Sequence, residues 1–191
     1  MASDPILFSI PEAFESRRLL IRAPILDDGI KVNEAIRESM EELIPWMPWA
    51  QTMPTLEESE ANIRKARLKF LERSDMRLLI LLKETGELIG SSGLHNIDWN
   101  IRRFEIGYWV RSSFGGQGYM TEAVEAILNF AIQELQANRV EIRCDSKNIR
   151  SYRVAERLGF TLEGIIRNDD LSVDGSLRDT MVFSKVRGVE F

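Results

Sequence analysis

Apolar positions along this chain recur with two periods, one suited to strands and one to helices. Leu19-Leu20-Ile21-Arg22 is a strand-like run closed off by Pro24. Asp27 is placed to cap a helix reaching about Met40, and the two prolines of Ile44-Pro45-Trp46-Met47-Pro48-Trp49 then exclude further helix. Thr55 and Glu58 form a capping box that opens a helix to about Glu72, with Ile63, Ala66, Phe70 and Leu71 on one face. Leu78 to Leu82 is apolar throughout, as in a strand buried on both faces. Thr85-Gly86 turns into a strand from Leu88 to Ile97, and Phe104 to Val110 gives another. Gly118 to Ala137 carries Val124, Ile127, Leu128, Ala131, Ile132 and Leu135 as a helical stripe. Val140, Ile142 and Cys144 alternate with Glu141, Arg143 and Asp145, the period of a strand. Asn148 begins a short helix that stops at Gly159, and two closing strands flank an Asp174-Gly175 turn. The order βαα-βββ-α-β-α-ββ predicts an α/β (α+β) layer structure around a mixed sheet, with no linker dividing residues 1–191.

The chemistry concentrates where the run Phe104 to Val110 meets the helix from Gly118. Gly115-Gly116-Gln117-Gly118 places three glycines in four residues there. Such a loop lets backbone approach a ligand, and the following helix adds its free N–H groups and positive dipole end. The result is a seat for phosphate or pyrophosphate, or else a ligand-free strand-to-helix turn. A P-loop would need Lys and then Ser or Thr after its last glycine, where this chain has Tyr119-Met120. A dinucleotide fingerprint would need a third glycine at Thr121.

Composition narrows the ligand. The 191 residues are 44% hydrophobic and 29% charged, enough for one sizeable globular core. A net charge of −5 argues against nucleic acid as a primary ligand and leans towards cationic substrates such as amines. The lone Cys144 excludes an internal disulfide and fits a reducing, cytoplasmic setting. Met1-Ala2-Ser3-Asp4-Pro5 lacks the basic start and apolar run of a leader, and no stretch approaches membrane-spanning length. One cysteine and one histidine argue against a metal site. That histidine, His95, reads more readily as a half-buried structural side chain than as a base, and Cys144 as a core-facing strand residue.

Several segments in fixed order carry a family resemblance. They are Arg18-Leu19-Leu20-Ile21-Arg22, Trp46-Met47-Pro48-Trp49, Glu105-Ile106-Gly107-Tyr108-Trp109-Val110, Gly116-Gln117-Gly118-Tyr119-Met120-Thr121-Glu122-Ala123, and Asn148-Ile149-Arg150-Ser151 through Arg157-Leu158-Gly159-Phe160. Together they resemble the GNAT acyltransferase superfamily, and within it the RimJ/RimL group of ribosomal-protein N-terminal acetyltransferases. Two positions depart from the superfamily pattern: Gly115 stands where Gln or Arg is usual, and Met120 where a small residue is usual. A cradle made of main-chain N–H groups tolerates both.

The resemblance implies a GNAT fold, a mixed and mostly antiparallel sheet with helices on both faces. It implies acetyl-CoA as donor, a primary amine as acceptor and direct attack on the thioester, with no metal. The N–H groups of Gly116, Gln117, Gly118, Tyr119 and Met120, with Thr121 beside them, would hold the pyrophosphate. The strand Tyr108-Trp109-Val110 would pair with the pantetheine arm, a main-chain N–H near Val110 would polarise the carbonyl, and Asn148 would contact the arm unless it only caps its helix. Ser151 would give the departing sulfur a proton. Glu105, or else Asp170 in Asn168-Asp169-Asp170, would be the general base, against plain ion-pair and turn roles for the same carboxylates. Trp46, Trp49 and Tyr108 would line the acceptor groove. The expected acceptor is a protein N-terminal α-amine, such as that of a ribosomal protein. Alternatives are a polyamine, amino sugar or antibiotic acceptor, or an acyl-CoA-binding module without turnover, and self-association into a homodimer is left open.

Overall fold

A computed structural model describes residues 4–191. Met1, Ala2 and Ser3, from the stretch read for a leader, lie outside the described residues. The elements run β1 (Ala13–Glu15), β2 (Leu19–Arg22), α1 (Asp28–Leu43), α2 (Leu56–Glu72), β3 (Met76–Leu82), β4 (Leu88–Asp98) and β5 (Arg103–Val110). They continue with α3 (Tyr119–Gln133), β6 (Arg139–Asp145), α4 (Ile149–Arg157), β7 (Thr161–Leu171) and β8 (Leu177–Val186). All eight strands form one sheet in the order β1-β2-β3-β4-β5-β6-β8-β7. Every neighbouring pair is antiparallel except β5 and β6.

Strand alternation sorts side chains to two faces. Leu78 and Ile80 of β3 join the larger core with Val124, Ile127, Leu128 and Ala131 of α3 and Val154 and Ala155 of α4. Leu79 and Leu81 of the same strand pack with Val32 and Ile36 of α1 and Ile63 of α2. The all-apolar β3 is therefore buried on both faces, and helices cover both sides of the sheet.

The feature that positions the site is a break in pairing. β5 and β6 run parallel only at Arg103↔Arg139, Phe104↔Val140 and Glu105↔Glu141. Beyond Glu105, β5 stays with β4 as far as Val110, while β6 stays with β8 as far as Asp145. The sheet is split between them.

Most boundaries follow the hydrophobic pattern, and the exceptions have local causes. The capping box of α2 is formed, with Glu58 N–H donating to Thr55 Oγ1 at 3.1 Å and Thr55 N–H to Glu58 Oε2 at 2.8 Å. Asp27 does not cap α1 with its side chain: it sits in the left-handed region at φ 71°, and only its N–H is used, towards Glu60 at 3.2 Å. The neighbouring Asp28 fixes the helix start instead, accepting from both terminal nitrogens of Arg22 at 2.6 and 2.7 Å and from Ile25 N–H at 2.8 Å. α3 ends at Gln133 rather than Ala137, because Gln136 turns left-handed (φ 55°) and Ala137 N–H closes onto Ala131 O at 2.9 Å. β1 is an additional short edge strand that the apolar pattern does not mark. Among the described residues, no helix is long and apolar enough to cross a membrane.

Candidate active site

The split opens a cavity of about 860 Å³. Ile106 to Trp109 of β5 form one wall and Ile142 to Asp145 of β6 the other. Asn148 and Ser151, at the start of α4, close it on the α3/α4 side, and the segment Pro45 to Trp49 closes it on the α1/α2 side. The structure thus brings Trp46, Trp49, Tyr108, Trp109, Asn148 and Ser151 to one cavity. Trp49 is 48% exposed and its ring centroid lies 6.2 Å from that of Trp109. Val110, Glu105, Asp170 and the glycine loop do not line it.

On the α4 side, three side chains interlock. Asn148 caps α4, its Oδ1 accepting from Ser151 N–H at 3.1 Å. Tyr108 donates its hydroxyl proton to the Ser151 carbonyl at 2.8 Å, and Ser151 Oγ lies 3.4 Å from the Tyr108 oxygen as a weak donor. Burial pushes the Tyr108 hydroxyl well above the usual tyrosine range, so it stays protonated. Burial likewise pushes the Cys144 thiol up to about 11, opposed by a hydrogen bond from Ser151. Cys144 is therefore a neutral thiol on the cavity wall rather than a nucleophile.

The glycine loop lies at the N-terminus of α3. Gly116 and Gly118 adopt φ 74° and 78°, a region that disfavours side chains. Gly118 occupies the N-cap position, and no side chain caps the helix. A Cβ built on Gly116 would meet nothing within 4 Å, and on Gly118 only Arg18 Nη2 at 3.7 Å. The loop is an open cradle beside free first-turn N–H groups. The Gln117 side chain turns away to donate to Ser113 O at 2.8 Å.

Arg18 stands at this cradle, and its place there was not legible in the sequence. Its Nε donates to Glu122 Oε2 at 2.6 Å, its N–H to Glu122 Oε1 at 2.7 Å, and its guanidinium lies 4.1 Å from the Tyr119 ring centroid. Burial raises the Glu122 carboxyl, but the bonds from Arg18 N–H, Ser16 and the guanidinium outweigh it and hold the group below the usual range. Both residues stood in the quoted segments, yet only the packing of α3 against β2 brings them together.

The two carboxylates expected as bases are engaged elsewhere. Glu105 is the last paired residue of β5 before the split, and its Oε2 accepts from Asn96 Nδ2 at 2.9 Å. Asp170, 58% exposed beside a register shift in β7, accepts from Arg178 at 2.7 Å and from Leu171 N–H at 2.8 Å. Arg178 holds its carboxyl below the usual range. On the α1/α2 side, His95 lines the cavity, with Nδ1 2.8 Å from Asp75 Oδ2 and its ring over Gly107. Among the described residues, no three or more His, Cys, Asp or Glu side chains are grouped to hold a metal ion.

Comparison with known proteins agrees with this geometry. The model of the acetyltransferase (GNAT) domain family matches residues 18–161. YdaF of Bacillus subtilis (strain 168), whose name gives it provisionally as a ribosomal N-acetyltransferase, is 32% identical over 161 residues, covering 84% of this chain and 86% of its own. The ribosomal-protein-serine acetyltransferase of Escherichia coli (strain K12) is 30% identical over 132 residues, covering 68% and 73%. Among solved structures, the microcin C7 self-immunity acetyltransferase MccE, in complex with acetyl-CoA and AMP, superposes with a TM-score of 0.84 at 24% identity, covering 92% of this chain and 97% of its own. RimL, a ribosomal L7/L12 α-N-protein acetyltransferase in complex with coenzyme A, gives 0.83 at 24% identity, covering 93% and 97%. The two superpositions establish the fold.

Proposed function

The chain belongs to the GNAT acetyltransferase family, and from that premise we propose that it moves an acetyl group from acetyl-CoA to the N-terminal α-amine of a protein, with a ribosomal protein as the leading acceptor. That it is an N-acetyltransferase follows from the family. The finer choice of acceptor is supported by the names of YdaF and the Escherichia coli enzyme. The observation that carries the reading is the split between β5 and β6. It frees one edge of Ile106 to Val110 and opens a cavity beside it.

The residues fit the donor. The loop from Gly116 to Gly118, with the N–H groups of Tyr119, Met120 and Thr121, would hold the pyrophosphate, and nothing occupies the space a Cβ would take at Gly116. Arg18 would add positive charge at the same point. When bound, the thioester supplies an activated acyl carbon. Tyr108, Trp109 and Val110 would align the amide arm through their free main-chain edge, and an N–H near Val110 would stabilise negative charge on the carbonyl oxygen. Asn148 has its oxygen committed to the cap, which leaves its amide N–H groups for the arm. Ser151 Oγ would protonate the departing sulfur, a modest task for a thiolate of pKa about 8.5. Trp46, Trp49 and Tyr108 would form the acceptor wall. A reducing cytoplasmic setting belongs to the same proposal and suits the free thiol of Cys144.

Two measurements test this reading. Acetyl-CoA at a hundredfold excess over its Kd stabilises the fold by about 2.7 kcal/mol, and ATP or NAD does not. With a panel of amines, free thiol is released fastest with peptides bearing an unblocked N-terminus. Equal melting shifts with ATP, or thiol release with polyamines alone, would overturn the donor or the acceptor assignment respectively.

A further inference from the structure

Glu105 and Asp170 do not line the cavity, and the two carboxylates that do are engaged, Asp145 Oδ1 accepting from Lys147 N–H at 2.8 Å and Glu58 Oε2 from Thr55 N–H at 2.8 Å. An α-amine of pKa near 8 is mostly protonated at neutral pH, so a proton acceptor inside the cavity is required. His95 meets the requirement. β4 turns it to the α1/α2 face, the same face as Gly107 and Trp109 of β5, opposite the side where Ser151 waits.

Its surroundings are built rather than incidental. Asp75, ahead of β3, lies 2.8 Å from Nδ1 and is itself only 28% exposed. A carboxylate can only accept, so it places the imidazole proton on Nδ1 and leaves the Nε2 lone pair free. Gly107 makes room for the ring: a Cβ there would stand 3.2 Å from Cδ2 and 3.5 Å from Nε2. Any other residue at 107 would press on the imidazole. Burial raises the Asp75 carboxyl, but His95, Arg77 and Lys69 outweigh it and hold it below the usual range, so it remains an anion.

Resting on the acetyl-transfer reading, we propose that His95, oriented by Asp75, is the general base that takes the proton from the acceptor ammonium. Nε2 receives one proton, which frees the nitrogen lone pair to form the C–N bond. The C–S bond breaks and its electron pair goes to sulfur. The second N–H proton leaves to solvent as the amide forms, Ser151 passes its hydroxyl proton to the sulfur and regains one from solvent, and His95 releases its proton to solvent, so one proton is released per turnover. Asp75 is a positioning residue in this scheme. Asp75 contacts His95 directly and Glu105 is its cross-strand partner, and the charged groups that share its cavity are Arg77 of β3, Glu58 and Lys65 of α2, Arg143 and Asp145 of β6, and Arg178 of β8.

The test uses His95→Gln, His95→Ala and Asp75→Asn in the full chain. His95→Gln is expected to lower kcat at neutral pH by about 10²-fold or more and to leave the acetyl-CoA KM unchanged. The deficit narrows at high pH, where the amine is neutral unaided, and added imidazole restores part of the rate to His95→Ala. Asp75→Asn gives a smaller loss with an altered acid limb. A kcat near wild type in His95→Gln, or a loss equal at every pH and not rescued by imidazole, overturns the proposal. His95 is the only histidine, so its Cε1–H gives a single, unambiguous NMR signal. That signal is expected to move when an acceptor peptide is added without acetyl-CoA, and a stationary signal also overturns the proposal. Absence of transfer by the wild-type protein would instead sink the acetyl-transfer reading, while the ring signal still reports whether His95 meets an amine.

Discussion

Tyr108 donates its hydroxyl proton to the main-chain carbonyl of Ser151 at 2.8 Å, tying the half of β5 that has parted from β6 to the first turn of α4 across the split in the sheet. Both residues line the cavity, so the bond joins one side of it to another. Tyr108→Phe should lower stability by about 1 kcal/mol, the net worth of a partly buried hydrogen bond. It should also lower kcat by loosening Ser151. Unchanged stability and unchanged kcat together would show that the bond holds nothing in place.

Ser151→Ala should lower kcat with little effect on the acetyl-CoA KM, because a proton passed to the leaving sulfur matters mainly in the transition state. The loss should be modest, since a thiolate of pKa about 8.5 departs readily. A kcat equal to wild type removes Ser151 from the chemistry and leaves it as a polar residue below the Asn148 cap.

Gly118→Val should fold but lose CoA affinity. Its Cβ would meet only Arg18 Nη2 at 3.7 Å, so the cost is conformational, about 1–2 kcal/mol for a side chain in the left-handed region. The branched side chain would then occupy the cradle that the pyrophosphate needs. Wild-type CoA affinity in a folded variant would reduce the loop to a turn.

Glu105→Gln and Asp170→Asn should each keep kcat within about tenfold of wild type, where loss of the true base costs about 10²- to 10⁴-fold. Their carboxylates bind Asn96 and Arg178 rather than the cavity. A hundredfold loss in either variant, with recovery at high pH, would return the base role to that carboxylate.

How far the sequence foretold the site depends on whether a feature is local. The glycine loop, the Thr55–Glu58 box and the Asn148 start are local patterns, and the structure forms the latter two as caps and the first as an open helix N-terminus. The resemblance implied an acceptor groove at Trp46, Trp49 and Tyr108 and a separate place for Ser151 beside the sulfur, and all four line one cavity. Register is not local. Nothing in Glu105 or Glu141 announces that parallel pairing ends there. Nothing in Arg18 and Glu122 announces that a salt bridge joins them at 2.6 Å. His95 reads as structural because Asp75 lies twenty residues away, and its carboxylate is visible only once β3 and β4 pair. Asp27 failed as a cap because the stronger competition at that helix start is between Asp28 and Arg22.

Acid should weaken the tie between β6 and the β7 edge of the sheet. Arg139 and then Ser184 hold the Glu163 carboxyl down to about 2, from an ordinary 4.5. The folded value lies below the unfolded one, so this contribution is complete above pH about 4.5 and lost as pH falls towards 2. Glu163 is 42% exposed, so the pair is screened and contributes under about 1 kcal/mol. Denaturant titrations from pH 6 downwards should show wild type losing more stability than Glu163→Gln across that window. Parallel curves would contradict the assignment.

The central claim is acetyl transfer from acetyl-CoA to an N-terminal α-amine at the split between β5 and β6. The direct measurement is to incubate the full chain with acetyl-CoA and a lysine-containing peptide whose N-terminus is free, beside the same peptide with that terminus blocked. Thiol release is followed, and the acetylated nitrogen is located by fragment mass spectrometry. The account predicts thiol release matched by one acetyl group on the α-nitrogen of the free peptide, and none on the blocked one. Equal acetylation of lysine side chains in both peptides, or no transfer by a protein that binds CoA, would contradict it.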